Sequence, residues 1–203
     1  MRIAIIGGSG RAGQAISAEL AGRGHQVTAI SRHPENSVKD AAIRAVAGDV
    51  NDGEALTKLL AGHDVVVSAV MFSDTDPAAL VDIVRASGVP RYLVVGGAGS
   101  LEVAPGVPLV STAEFPKEYL TEATRGGAFL DYLRGLKDID WTFLSPSALF
   151  FVGPRKGVFR LGGDQLIVDG EGNSSISYVD YAIALADEIE VPRHSRARFT
   201  VGY

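Results

Sequence analysis

At 203 residues, with 46% hydrophobic and 21% charged side chains, the chain can bury its own core and reads as one domain. The formal net charge of −5 leaves no basic field for a nucleic-acid partner, and no apolar run approaches the length of a membrane span. There is no cysteine, which excludes disulfides, thiolate catalysis and Cys-based zinc sites; with no signal-peptide core after Met1, a cytoplasmic location is expected.

The first predicted element is a strand, Ile3 to Ile6, which breaks into Gly7-Gly8-Ser9-Gly10-Arg11-Ala12-Gly13. A helix follows, with Ala12, Ala15, Ile16 and Leu20 at helical spacing and Gly22 and Gly24 closing it. Gly8, Gly10 and Gly13 satisfy G-x-G-x-x-G, and Gly7, Gly10 and Gly13 satisfy G-x-x-G-x-x-G. With 24 glycines in the chain such a pattern carries little alone, and a helix-capping loop without a ligand would also fit. Its place between a strand and a helix is what points to a dinucleotide. Glycines let the backbone approach a pyrophosphate, and the helix N-terminus offers unpaired N–H groups.

Val27 to Ile30 reads as the second strand, ending in Ser31-Arg32-His33-Pro34, and Ile43 to Ala47 as a short third, followed by Gly48-Asp49-Val50. Asn51 or Asp52 caps a helix that buries Leu56, Leu59 and Leu60 and stops at Gly62. Val65 to Val67 is a β-branched run suited to a strand covered on both faces. Asp76 as N-cap and Pro77 at the first helical position open a helix carrying Leu80, Ile83 and Val84 and ending at Gly88. Arg91 to Val95 is the fifth strand and runs into Gly96 to Ser100.

The region Glu102 to Pro116 reads as a long loop, and Lys117 to Lys137 as a helix weakened or broken at Gly126-Gly127. Trp141 to Leu144 is the sixth strand, ending at Ser145-Pro146-Ser147. Val158–Leu161 and Gln165–Val168 flank Gly162-Gly163-Asp164 as a predicted hairpin. Ser177 to Asp180 resembles a capping box opening a helix to about Ile189, and Arg198 to Val201 is a last strand. His25, His33, His63 and His194 lack ligand-like spacing and read as solvated, with no metal site.

Regular alternation of strand and helix argues for an open parallel sheet with helices on both faces. Ligands bind such sheets beyond the carboxyl ends of the strands. The candidate cofactor residues all fall there. They are Gly7, Ser9, Gly10, Arg11, Ala12 and Gly13, then Ser31 and Arg32, Asp49 and Val50, Ala69 and Val70, Gly97, and Pro146. An acidic residue after the second strand would bind a ribose hydroxyl of NAD, whereas Ser31-Arg32 suits the 2′-phosphate of NADP. NADP(H) is therefore preferred over NAD(H); the weaker alternative is that Arg32 is only a solvated loop residue. Asp49 fits either adenine recognition or a helix cap.

These residues resemble the atypical short-chain dehydrogenase/reductase superfamily, and within it small bacterial NAD(P)-binding proteins of the NADH-flavin reductase type, with nitrogen-metabolite-repressor-like relatives. The resemblance rests on Ile5 to Gly13, Gly48-Asp49-Val50, Val94 to Glu102, Asp140 to Ser147, Leu161 to Asp164 and Ser174 to Ala182. It implies a Rossmann-type α/β fold: one doubly wound parallel sheet over residues 1–203, with a small C-terminal substrate-side elaboration within 148–203. The superfamily's Tyr-x-x-x-Lys pair is missing. Tyr119 is followed four residues on by Ala123, and Tyr132 has Lys137 one step too far. Ser100 and Tyr119 are the remaining weak catalytic candidates.

Hydride transfer to a flavin, quinone or similar planar acceptor needs no such pair, because the acceptor ring delocalises charge and solvent supplies the proton. A flavin would then be a substrate rather than a bound cofactor. Met71-Phe72 and Phe150-Phe151 are candidate apolar walls for it, or ordinary core and lid residues. A non-catalytic NADP(H)-sensing or regulatory protein is the other reading.

Overall fold

The computed structural model describes all 203 residues. In chain order, β1 (Arg2–Ile6), α1 (Arg11–Gly22), β2 (Gln26–Ser31), β3 (Ile43–Ala47) and α2 (Gly53–Leu60) lead to β4 (Val65–Ser68). Then come α3 (Pro77–Ser87), β5 (Arg91–Val95), β6 (Glu102–Ala104), β7 (Val107–Pro108) and α4 (Leu120–Arg134). The last elements are β8 (Asp140–Pro146), β9 (Leu149–Phe151), β10 (Arg160–Gly162), β11 (Ser175–Ser177), α5 (Tyr178–Glu190) and β12 (Ala197–Gly202).

Eight strands form the main sheet in the order β10-β12-β8-β5-β4-β1-β2-β3, all parallel except the β10–β12 edge pair. This is the Rossmann-type α/β arrangement that the strand–helix alternation predicts. Period-two alternation sends successive side chains to opposite layers. On β1, Ile3 and Ile5 join a cluster with Ile16, Leu20, Tyr181 and Leu185 of α1 and α5. Ala4 and Ile6 face Leu56, Leu80, Val84 and Phe129 of α2, α3 and α4. The two clusters hold 21 and 20 buried residues, so neither face of the sheet is left to solvent. Each fully buried aliphatic side chain contributes roughly 1.5–3 kcal/mol.

The predicted caps form as local chemistry dictates. Asp52 rather than Asn51 caps α2, accepting from Ala55 N at 3.1 Å. Asp76 caps α3 through Ala78 N and Ala79 N, and Gly88 ends that helix in the left-handed region. Ser177 accepts from Asp180 N at 3.2 Å, but Asp180 does not reciprocate. Its buried carboxylate instead accepts from Lys156 N, Gly157 N and Tyr203 Oη, which fastens the 154–157 segment to α5.

Three predicted elements differ. The stretch from Glu102 is not a plain loop: β6 and β7 form a small antiparallel ladder before two 3₁₀ turns. The predicted helix at Lys117 starts as a 3₁₀ turn and becomes α4 at Leu120, and it runs unbroken through Gly126-Gly127. Gly126 is where the Phe72 ring packs on α4; a Cβ there would lie 2.9 Å from Phe72 Cδ2. The predicted hairpin around Gly162-Gly163-Asp164 does not form. Arg160–Gly162 pairs with β12, while Gln165 bridges to Glu102. Asp164 is drawn onto Arg198 Nε at 2.7 Å and Arg134 Nη2 at 3.3 Å, which leads the chain away from the hairpin path.

Three of the four histidines depart from the solvated reading, and His33 is exposed as expected. His63 bridges Leu60 O and Thr28 Oγ1, and His25 binds Glu190. His194 lies on the Phe199 ring and binds Glu188 Oε2 at 2.7 Å. Glu188 is buried and also accepts from Arg91 Nη2 at 2.9 Å and from His194 N. Arg91 reaches Asp140 as well, so a polar cluster ties the starts of β5 and β8 to the last turn of α5. That cluster lies at the amino-terminal end of the sheet, away from the glycine turn.

Candidate functional site

The glycine turn sits where the strand order reverses, with β1 between β4 and β2. Gly7 N and Gly8 N both donate to Ile30 O, at 2.8 and 3.1 Å, which pins the turn to the end of β2. Gly7 has φ +87°, and a Cβ on it would meet the Ala69 carbonyl oxygen at 2.3 Å. A Cβ on Gly13 would lie 2.2 Å from the Gly7 carbonyl oxygen, so α1 can lie against the turn only without a side chain there. No side chain caps the start of α1 at Gly10, and no acidic residue lies in its first turn. The first amides and the positive end of the helix dipole are therefore left for an anion.

This turn opens onto a cleft of about 220 Å³ beyond the carboxyl ends of β1, β2 and β4. Gly7, Ser9, Gly10, Ser31, Arg32, Asp49, Val50, Ala69 and Val70 all line it, together with His33 and Met71. Ser31 Oγ is buried and has no hydrogen-bond partner within the protein. The exposed Arg32 lines the same cleft, so the free protein offers one unpaired hydroxyl and one cation at its wall. The donor set and the side-chain-free turn fit a dinucleotide phosphate ligand. Asp49 Oδ1 accepts from Asn51 N at 2.9 Å, a turn-forming role.

A second cleft, of about 650 Å³, lies beyond the ends of β5 and β8. Gly97, Phe72, Phe115, Tyr119, Phe150 and Tyr178 are among its lining residues. The two clefts flank the turn after β4, whose Ala69 to Met71 line the first and whose Phe72 lines the second. Phe150 packs on Tyr178 with ring centroids 4.0 Å apart. Tyr178 is not singled out by the sequence, although its place directly after the Ser177 cap sets it at the mouth of this sheet end.

Four candidates lie elsewhere. Arg11 is exposed on a shallower groove with Gln14 and Val152. Gly13 is buried beneath the turn, and Ala12 lines neither cleft. Pro146 is buried at the end of β8 and also lines neither.

Ser100 lies 3.5 Å from Arg198 Nη1 and lines neither cleft, whereas Tyr119 is 62% exposed at the second. The position that would carry the lysine partner of Tyr119 is Ala123, which lines the second cleft. A Cβ on Gly99 would lie 2.7 Å from the Ala123 methyl, so the loop after β5 and α4 touch there. Of the buried tyrosines, Tyr181 donates to Leu144 O at 2.7 Å, and burial pushes its phenol well above its ordinary value. It stays protonated at neutral pH.

The topology and the side-chain-free turn at the strand reversal define a dinucleotide-binding α/β protein. The NAD(P)H-binding family matches residues 7–192, and the chain belongs to that family. It is 43% identical to the uncharacterized protein YwnB of Bacillus subtilis, over 99% of this chain and 98% of that one. A Bacteroides thetaiotaomicron structure named as a "putative epimerase" is 41% identical with a TM-score of 0.94, covering 100% of this chain and 96% of that one. A Streptococcus pneumoniae structure named as a "putative NADH-flavin reductase" is 36% identical with a TM-score of 0.86, covering 100% and 99%. No helix is long and apolar enough to cross a membrane.

Proposed function

We propose that the protein is an NADPH-dependent reductase that passes a hydride to a planar acceptor such as a flavin or quinone. The observation that carries this is the pair of clefts on either side of the Ala69–Phe72 turn: one small, polar and served by a helix N-terminus, the other larger and aromatic. In this reading the open amides at the start of α1 hold the pyrophosphate, Ser31 and Arg32 the 2′-phosphate, and Asp49 and Val50 the adenine. Ala69, Val70 and Gly97 border the nicotinamide. When bound, NADPH supplies a hydride, which with one solvent proton reduces the acceptor by two electrons and leaves NADP⁺. The chain's own part is to orient two rings face to face and shield them from water. The S. pneumoniae relative's name supports this class of reaction, and the absence of a lysine four residues after Tyr119 disfavours carbonyl chemistry through it.

The same missing lysine favours a second reading, a protein that binds NADP(H) to sense or regulate without turnover. Purified protein mixed with NADPH and a panel of flavins and quinones separates the two. Saturable NADPH oxidation supports the reductase. Tight NADPH binding without turnover on any acceptor supports the sensor. If Arg32→Ala weakens NADPH no more than NADH, the 2′-phosphate assignment is wrong.

A further inference from the structure

We propose that the acceptor carries no phosphate group, so that quinones and unphosphorylated flavins are used in preference to FMN or FAD. This rests on the reductase reading and concerns the second cleft alone.

The two clefts sort charge in opposite ways. The first holds Arg32, the orphaned Ser31 hydroxyl and the open amides of α1. The second is about three times larger, and no lysine, arginine or histidine lines it. Its ionisable lining consists of Glu114, Glu122, Tyr119 and Tyr178. Glu122 accepts from Phe72 N at 2.8 Å and from Ser73 N at 2.7 Å, which fixes its carboxylate in place. Glu114 is exposed at the rim.

Of the neighbouring cations, Lys117 and Arg11 are exposed and do not line the cleft, and two others are engaged elsewhere. Arg125 donates to the Ser73 carbonyl, and Arg198 is held by Asp164. A phosphomonoester carries about −1.5 to −2 charge at neutral pH. Entering this cleft, it would meet two carboxylates and no cation. A neutral ring meets instead the Phe150–Tyr178 pair and the side chains of Phe72 and Phe115, at a volume within the range of about 300–1,000 Å³ usual for small-molecule sites.

The test uses the full chain with saturating NADPH and three acceptors: menadione, riboflavin and FMN. The expected result is a kcat/KM for riboflavin about tenfold or more above that for FMN at low ionic strength, the gap narrowing as salt is raised. Quenching of riboflavin and FMN fluorescence by protein loaded with NADP⁺ should give the same order of affinity. Glu114→Lys should raise the FMN value more than the riboflavin value. Equal use and equal binding of FMN and riboflavin would overturn this inference and leave the reductase reading standing. NADPH binding without oxidation by any of the three would overturn both.

Discussion

Replacing Ser31 with alanine removes a hydroxyl that the free protein does not use. The residue is 8% exposed and its Oγ has no partner. A buried hydroxyl without a partner carries a desolvation cost of about 1–3 kcal/mol, so its loss should leave the free protein equally stable or slightly more so. If Ser31 meets the 2′-phosphate as proposed, the same change removes from the NADPH complex a hydrogen bond to a charged group, worth about 1.5–3 kcal/mol, or about 10- to 150-fold in Kd. NADH has no 2′-phosphate, and its Kd should move by less than about threefold. Calorimetric titration with both cofactors, together with urea unfolding of the free protein, measures all three quantities. Equal losses of NADPH and NADH affinity would refute the reasoning, as would a free variant destabilised by more than about 1 kcal/mol.

Gly13→Ala would set a methyl 2.2 Å from the Gly7 carbonyl oxygen. Overpacking of about 1–3 kcal/mol should lower Tm by about 2–12 °C and abolish the thermal shift with NADPH. Asp180→Ala strands two amide donors and removes one bond from the Tyr203 hydroxyl, and should cost about 2–4 kcal/mol at pH 7 in urea melts. Burial raises the Asp180 carboxyl, but the bonds from Tyr203, Gly157 and Lys156 outweigh it and hold the group below its ordinary value. The stabilisation is therefore fully present above about pH 3.9 and is lost as pH falls through the folded-state value, so the gap between wild type and variant should narrow only below about pH 4. Tyr119→Phe should change kcat with a quinone by less than about twofold; a hundredfold fall would identify the phenol as the proton donor.

The parallel core was legible because its signals are local. β-branched runs, Asp52 and Asp76 as caps and Gly88 as a stop each act within one turn of chain. The cleft around the glycine turn followed from the rule that ligands sit beyond the carboxyl ends of parallel strands, which brought nine of the residues singled out from the sequence onto one surface. The C-terminal region was less legible because distant partners decide it. Gly162-Gly163-Asp164 has hairpin chemistry, yet Arg198 and Arg134 hold Asp164 elsewhere. Gly126-Gly127 resembles a helix break until Phe72, more than fifty residues earlier, claims the space at Gly126. Tyr178 gave no signal of its own, since a tyrosine after a cap is as common in a core as in a cleft.

The buried Arg91–Glu188–His194 cluster lies at the opposite end of the strands from both clefts. Selection can therefore act on the two ends almost independently. Substitutions in the segments 109–116 and 148–150, which border the aromatic cleft, touch none of the cluster's hydrogen bonds. Those segments can therefore be remodelled, and the aromatic cleft reshaped, with the polar cluster left intact. For an engineer, the same separation marks 109–116 and 148–150 as the positions to randomise when the aromatic cleft is to take a new ligand, and Arg91 and Glu188 as the positions to leave alone.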